Sequence, residues 1–141
     1  MIPNRSVPKA TVIPVLSYPE VADAVAWLCG AFGFAERLRI GDHRAQLIVG
    51  DEAVIVTKLR AEAAPGSFAT HSVLVRVEDV DAHHARATAY GATILDQPTD
   101  YPYGERQYSV EDLGGHRWTF SQSIADADPA TWGGTSIDLS S

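Results

Sequence analysis

Side chains that could hold a small molecule fall close together in the second half of this 141-residue chain. They are Tyr101, Tyr103, Arg106 and Tyr108. Arg106 and Tyr108 are two positions apart, so in a strand their side chains would share one face. A guanidinium beside phenol rings can bind an anionic or planar ligand by charge and by stacking. The alternative is that Arg106 pairs with Glu105 or Glu111 on a solvated rim.

The histidines are weaker candidates for chemistry. His83 and His84 are neighbours on a predicted helix, so they point about 100° apart and cannot hold one ion together. Acidic residues stand four and three positions before them respectively, which predicts surface ion pairs. His43 and His116 are interpreted as turn residues. His71 begins an alternating strand, where it has either a structural or a ligand-binding role.

Other familiar chemistries lack their motifs. The sequence contains no Gly-x-Ser-x-Gly elbow, no phosphate-binding loop and no dinucleotide fingerprint. The single cysteine, Cys29, lies in an apolar helical stretch and is interpreted as a buried, inert thiol. One cysteine cannot form an internal disulfide and suits a reducing compartment. Since no apolar targeting region or membrane-length run is present, we expect a cytoplasmic protein without membrane contact.

Charge is distributed unevenly along the chain. The formal net charge is −7, and residues 61–141 contain twelve acidic but only four basic residues. Such a surface repels phosphate backbones, so we expect no nucleic-acid partner. Cationic or neutral small organic molecules fit better. The acidic half is either a site that attracts cations or an ordinary solvated face.

One pattern of elements occurs twice, about 58 residues apart. The first module is predicted as strand 11–16, helix 20–32 and strands 36–40, 44–49 and 53–58. The second is predicted as strand 71–77, helix 79–90 and strands 92–95, 106–110 and 117–121. We therefore predict a single domain with module one at about 10–60, a linker at 61–69, module two at about 70–124 and a tail at 125–141. Trp132 in the tail is expected to dock on the body because it is large and apolar.

The repeat predicts an α+β fold. Two tandem βαβββ modules would form a curved, cup-shaped mixed β-sheet of about eight strands, with the helices on the outside. The inner face of such a cup is where a small ligand would lie.

Three segments resemble the vicinal oxygen chelate superfamily of glyoxalases, bleomycin-resistance proteins and extradiol dioxygenases. They are residues 12–25, 71–80 and 103–120, and the resemblance extends over about residues 10–124. The last segment is the most specific, because an aromatic-Gly-x-Arg opening precedes an Asp-x-x-Gly-His-x-Trp hairpin. The first strand, with Pro14, is similar to the bleomycin-resistance branch, while the tail 126–134 is more similar to other glyoxalase-like members. The resemblance to that branch implies an acidic homodimer that sequesters a cationic drug without metal chemistry.

The resemblance also implies where a divalent metal would bind. Its four ligands, each His or Glu, would fall at about Ile13, Val56, His71 and Thr119. Only His71 can ligate such an ion well, and one-residue shifts at the other three positions bring in no His or Glu. Catalytic sites need about three protein ligands, so we expect no metal cofactor.

Two functions remain open from the sequence. The first is a metal-independent binding protein that holds an organic ligand in the cup, with antibiotic sequestration and resistance as one such role. Its ligand-binding residues are expected to be His71, Tyr103, Arg106, Tyr108 and Thr119. The second is a glyoxalase-like or dioxygenase-like enzyme, a lyase, isomerase or oxygenase. Such an enzyme would use either a recruited divalent metal or acid–base residues such as His71, Arg106 and Tyr108.

Overall fold

A computed structural model describes residues 2–59 and 71–136. The predicted linker 61–69 and the end of the tail, residues 137–141, lie outside the described residues. The elements are β1 Val15–Tyr18, α1 Val21–Phe32, β2 Ala35–Ile40, β3 Arg44–Val49, β4 Glu52–Lys58, β5 Val73–Arg76, α2 Val80–Ala89, β6 Thr93–Tyr101, β7 Glu105–Glu111 and β8 Arg117–Ser123. A short 3₁₀ turn follows at Pro129–Trp132. Neither helix of the described residues is long and apolar enough to cross a membrane.

The two modules repeat one strand order. The first sheet runs β1-β4-β3-β2, and the second runs β5-β8-β7-β6. In each sheet the first strand of the module pairs in parallel with the last, and the other pairs are antiparallel. This confirms the α+β fold with two βαβββ modules. The eight described strands form two four-stranded sheets rather than one, because β1 and β5 are edge strands that do not pair with each other.

Two strands differ most from their predicted bounds. β1 begins at Val15 rather than Thr11, because Pro14 has no N–H and contributes only its carbonyl, which accepts a bond from Ile55 (2.9 Å). β6 extends over nine residues to Tyr101, well beyond the predicted end at Leu95. Register shifts between residues 94 and 99 break its alternation, so its polar second half does not read as a strand.

Both helices pack into one shared core. The apolar residues that recur at helical spacing along α1 are all buried there: Val21, Val25, Leu28 and Phe32. The ring of Phe32 lies 5.5 Å from that of Trp118 and 4.9 Å from that of Phe120, both on the second sheet. The helices also touch directly, since the guanidinium of Arg86 donates to the carbonyl of Gly30 (3.0 Å). The helix-bearing faces of the two sheets therefore pack against one common apolar core.

The opposite face of each sheet, which we call its open face, points away from that core. Side chains alternate along a strand, so the neighbours of buried residues lie there. On the first sheet Ser17 and Thr57 bond to each other across the open face (3.1 Å). On the second sheet Ser109 and Thr119 form an equivalent pair (2.9 Å).

A buried carboxylate joins the two modules. Asp112 lies in the turn between β7 and β8 and is 5% exposed. Its Oδ2 accepts from the Tyr18 hydroxyl (2.5 Å) and from Nε1 of Trp118 (2.9 Å). Its Oδ1 accepts from the backbone N–H groups of Gly114 (2.9 Å) and His116 (3.0 Å). Burial, and then the charge of Asp112, raise the pKa of Tyr18, so its phenol remains a donor.

Replacing Asp112 should strongly destabilise the fold. Asp112→Ala leaves the Tyr18 hydroxyl and the Trp118 N–H buried without an acceptor, which costs roughly 2–5 kcal/mol. Tyr18→Phe removes one donor and leaves the carboxylate three others, so we expect a loss of about 1–2 kcal/mol. Urea unfolding measures both, with exposed Asp126→Ala as the control. An Asp112→Ala protein as stable as the control would contradict this role.

Candidate functional site

A continuous chain of hydrogen bonds crosses the open face of the second sheet. The Tyr103 hydroxyl donates to Oε1 of Gln107 (3.1 Å), and Nε2 of Gln107 donates to Oγ of Ser121 (3.0 Å). The Ser121 hydroxyl then donates to Oε1 of Glu105 (2.7 Å). We call these four residues the polar chain. Because each member fixes the next, the side chains are held in place before any ligand arrives.

The carboxylate at the end of the polar chain is stabilised as an anion. Hydrogen bonds from Ser123 and Ser121, and then the charge of Arg76, lower the pKa of Glu105 below its usual value. Arg76 also donates to the Ser123 hydroxyl (3.0 Å). The Glu105 carboxylate therefore stays ionised, with its negative charge partly offset by the guanidinium of Arg76.

Aromatic rings border the polar chain at one end. Tyr101 and Tyr103 stack with centroids 5.4 Å apart and planes 8° apart. The indole of Trp132, carried by the 3₁₀ turn, meets Tyr103 edge-on at 5.5 Å. We call these three residues the aromatic cluster. Trp132 thus docks on the body as predicted, although it is 45% exposed.

Thr119 lies on the open face, where the sequence predicts it. It pairs in register with Leu74 of β5 and Ser109 of β7. Trp118 and Phe120, its neighbours along β8, are fully buried on the other face. Both rings therefore pack in the core, where Phe32 of α1 contacts them.

Arg106 and Tyr108 share one face, as their spacing predicts, but it is the helix-bearing face. The Tyr108 hydroxyl hydrogen-bonds Nδ1 of His83 (2.6 Å), and burial raises the pKa of this phenol. Arg106 pairs with Asp81 through Nε (3.0 Å) and with Asp100 through Nη1 (2.9 Å). Its partners are therefore not the glutamates that the sequence suggested.

The two helix histidines do not form the predicted ion pairs. His83 stacks on Phe120 at 3.9 Å, and burial lowers its pKa to about 4. His84 contacts the hydroxyl of Thr88 (3.4 Å). The prediction failed for His83 because α2 packs with this residue facing the second sheet. The imidazole ring takes a place in the core, where α2 otherwise buries only Val80 and Ala87.

His71, the remaining predicted ligand-binding residue, lies at the start of the second module. It is exposed and precedes β5, and its ring lies 6.3 Å from that of His116. His116 hydrogen-bonds the carbonyl of Ser17 (2.7 Å), and so supports its hairpin as expected. Of the five predicted residues, Tyr103 and Thr119 lie at the open face of the second sheet, whereas Arg106 and Tyr108 lie on its helix-bearing face.

The N-terminal segment covers part of the open face of the first sheet. Gln46, 3% exposed, accepts from Arg37 and donates to the carbonyl of Ser6 (2.9 Å). Arg37 also donates to the carbonyl of Arg5 (2.7 Å), and Pro8 is buried. We call residues 5–10 the N-terminal strap. Sequence periodicity could not reveal it, because the strap is irregular and its bonds come from side chains far along the chain.

The residues at the expected metal positions do not fit a divalent ion. Val56 is buried on the helix-bearing face, so by alternation its neighbours Ile55 and Thr57 lie on the side of the open face. Neither is a strong ligand, and neither are Ile13 and Thr119. Within residues 2–59 and 71–136, no three His, Cys, Asp or Glu side chains are grouped to hold a metal.

A groove of about 700 Å³ lies between the modules. It runs beside edge strand β5 and the turn between β3 and β4, and Val12, Leu74 and Trp118 are among its lining residues. Its walls therefore include the edge strand β5 and the exposed side chains of Val12 and Leu74.

Comparisons with known proteins agree with this architecture. The family model described as Glyoxalase/Bleomycin resistance protein/Dioxygenase superfamily matches residues 12–120. The structure of TioX from Micromonospora sp. ML1 is 36% identical, with 84% of this chain and 100% of that chain covered and a TM-score of 0.68. No curated protein sequence matches the chain.

Two further solved structures are similar in fold alone. A glyoxalase/bleomycin resistance protein from Streptomyces sp. CB03234 is 23% identical, with 78% and 97% of the two chains covered and a TM-score of 0.65. Lactoylglutathione lyase from Agrobacterium tumefaciens is 17% identical, with 83% and 96% covered and a TM-score of 0.63.

The buried His83 should make stability depend on pH. Its pKa falls from 6.5 to about 4 on folding, so the unfolded chain binds the proton more readily. Stability is then lost as the pH decreases from 6.5 towards 4. His83→Gln should remove this part of the dependence, whereas His84→Gln should retain it. Urea unfolding at several pH values measures the difference, and parallel curves for wild type and His83→Gln would contradict the prediction.

Proposed function

The chain belongs to the Glyoxalase/Bleomycin resistance protein/Dioxygenase superfamily, and on that premise we propose that it is a metal-independent binding protein for a small organic ligand. The observation that carries the proposal is the polar chain of Tyr103, Gln107, Ser121 and Glu105 on the open face of the second sheet. Hydrogen-bonding groups are fixed there, while the family's metal positions contain Ile13 and Thr119. The ligand would lie on this face.

The chemistry of the face favours a ligand with hydrogen-bond donors and positive charge. Glu105 is held as an anion, and the second half of the chain is strongly acidic. Oriented polar groups beside an apolar rim provide both specificity and contact area. Sequestration of a cationic antibiotic in the cytoplasm is the specific role that we propose.

An enzymatic role has less support. Arg106 and Tyr108 are engaged with Asp81, Asp100 and His83 on the helix-bearing face. Glu105 is partly exposed at the open face and has a lowered pKa, which makes it a weak general base.

We also propose that the protein is a homodimer. β1 and β5 are edge strands of their sheets, and their residues Val15 and Leu74 are 53% and 57% exposed. Both open faces point away from the shared core, so residues 2–59 and 71–136 of one chain do not enclose a cavity between them. A second copy covering these edges would protect their unpaired backbone groups and enclose the ligand.

Ligand binding is tested with two neighbouring residues of β7. A thermal-shift screen of cationic and neutral organic compounds in EDTA should give hits, and calorimetry then gives their affinities. Gln107→Ala on the open face should weaken binding about five- to tenfold, because bound hydrogen-bonding groups lose a partner. Arg106→Gln on the opposite face should not change the affinity.

Two outcomes would contradict this function. One is an equal loss of affinity in both variants, since that would place the ligand elsewhere. The other is one tightly bound divalent ion per purified chain that is lost in His71→Ala, as elemental analysis would detect. Turnover of enolisable or electrophilic compounds would favour the enzymatic alternative.

The homodimer is tested by light scattering during size-exclusion chromatography. Wild type should elute with twice the mass of one chain. The double variant Val15→Lys/Leu74→Lys should be monomeric, because buried lysines would oppose edge contacts. Leu113→Lys changes an exposed leucine in the turn between β7 and β8 and should remain dimeric. A monomeric wild type would exclude the proposal.

A further inference from the structure

A pocket of about 520 Å³ lies on the first sheet, apart from the candidate site. Its lining comes from β1, from the start of β3 and from the end of β4, and no residue of the N-terminal strap or of the second sheet contributes to it. We call it the first-sheet pocket. Its polar lining residues are Ser17, His43, Arg44, Thr57 and Lys58.

The floor of the first-sheet pocket is a row of polar side chains across three strands. Ser17 pairs in register with Thr57, and Thr57 pairs in register with Arg44. Because residues in register lie side by side on one face, all three belong to the open face, where the hydroxyls of Ser17 and Thr57 bond to each other. The side chain of Arg44 therefore begins beside two hydroxyl groups.

The second sheet contains an equivalent row. The helices begin four residues after Ser17 in module one and four residues after Arg76 in module two, so these two residues are equivalent. From Arg76 the row continues through Ser121 to Gln107 of the polar chain. The charge of Arg76 acts on the nearby carboxylate of Glu105. In the second sheet the arginine of the row is thus accompanied by an acidic side chain.

The basic side chains of the first-sheet pocket have no such partner. Arg44 is half-buried, while Lys58 and His43 are exposed. None of the three side chains forms an ion pair or hydrogen bond with residues 2–59 or 71–136. Asp42 precedes His43 in the chain but does not line the pocket. A half-buried guanidinium loses part of its hydration, and a bound anion would replace it with charge-assisted hydrogen bonds.

The pocket also has room for more than an inorganic ion. Sites for small organic molecules typically have volumes of roughly 300–1,000 Å³, and this pocket lies in that range. Val15, which is 53% exposed, and the half-buried Leu59 supply apolar lining. The homodimer proposed above would cover β1 beside Val15 and close this side of the pocket.

We propose that the first-sheet pocket binds an organic anion through its phosphate or carboxylate group. The oxyanion would contact Arg44 and Lys58, with His43 and the two hydroxyls of the floor as further hydrogen-bonding groups. Hydrogen bonds from guanidinium and ammonium groups to such oxyanions are among the strongest that proteins form. The apolar part of the ligand would lie against Val15 and Leu59. This site goes beyond the proposed function, because it lies on the other sheet and selects the opposite charge.

The test compares four naphthalene compounds that differ in charge, each titrated into the full-length protein by calorimetry. 1-Naphthyl phosphate and 1-naphthoate are anions, 1-naphthylmethylamine is a cation, and 1-naphthalenemethanol is neutral. The better anion should bind at least about tenfold more tightly than the cation and the neutral compound. Its affinity should fall as the salt concentration increases. The anion that binds more tightly identifies the oxyanion that the pocket prefers.

Substitutions locate the bound anion. Arg44→Gln should weaken binding of the better anion about tenfold, and Arg44→Lys should recover part of the loss. Lys58→Gln, on an exposed side chain that the fold does not need, should weaken binding about threefold or more. The matched control is Arg76→Gln, which removes the equivalent arginine of the second sheet and should leave the affinity unchanged. Thermal unfolding checks that each variant is folded.

Two results would overturn the inference. One is that neither anion binds more tightly than the neutral compound. The other is that Arg44→Gln and Arg76→Gln weaken anion binding equally, or that Lys58→Gln leaves it unchanged, since the anion would then lie elsewhere.

The inference and the proposed function can fail separately. Gln107→Ala, which tests the second sheet, should not change the affinity for the anion. If organic compounds bind through Gln107 and no anion binds through Arg44, the pocket is wrong while the binding function stands. If anions bind through Arg44 and no compound is affected by Gln107→Ala, the pocket stands and the proposed ligand site on the second sheet is wrong.

Discussion

The buried carboxylate of Asp112 is the interaction on which the arrangement of the modules depends. It accepts from Tyr18 of β1 and from Trp118 of β8, which are 100 residues apart in the chain. It also binds two backbone N–H groups of its own turn. A buried charge is tolerated only with such a set of donors. Because they come from both modules, satisfying the charge also sets how the two sheets meet.

Strand β8 connects this core to the candidate site. Trp118 and Phe120 point into the core, while Thr119 and Ser121 point to the open face. The apolar core and the candidate site thus lie on the two opposite faces of the same sheet. The position of the polar chain follows from the packing of the aromatic residues behind it, and a change on the open face need not disturb that packing.

The segments at both ends distinguish the two open faces. The N-terminal strap lies on the first sheet through Gln46 and Arg37, whereas the C-terminal turn brings Trp132 to the rim of the second. Both lie outside the residues matched by the family model. The shared fold therefore provides two similar sheets. Because the N-terminal strap covers part of the open face of the first sheet, the open face of the second sheet is the more accessible of the two.

The sequence by itself determined the two modules, most strand positions and which residues of a strand share a face, because apolar residues recur with the period of each element. The burial of Phe32 in α1 and the position of Thr119 opposite Trp118 in β8 agree with those periods. Periodicity could not determine what depends on contacts between distant segments. The placement of Arg106 against Asp81, the burial of His83 and the meeting of Trp132 with Tyr103 were decided by the tertiary structure. The reason is physical: alternation says that two residues share a face, but only the packing of the helix decides whether that face is the core or the open surface.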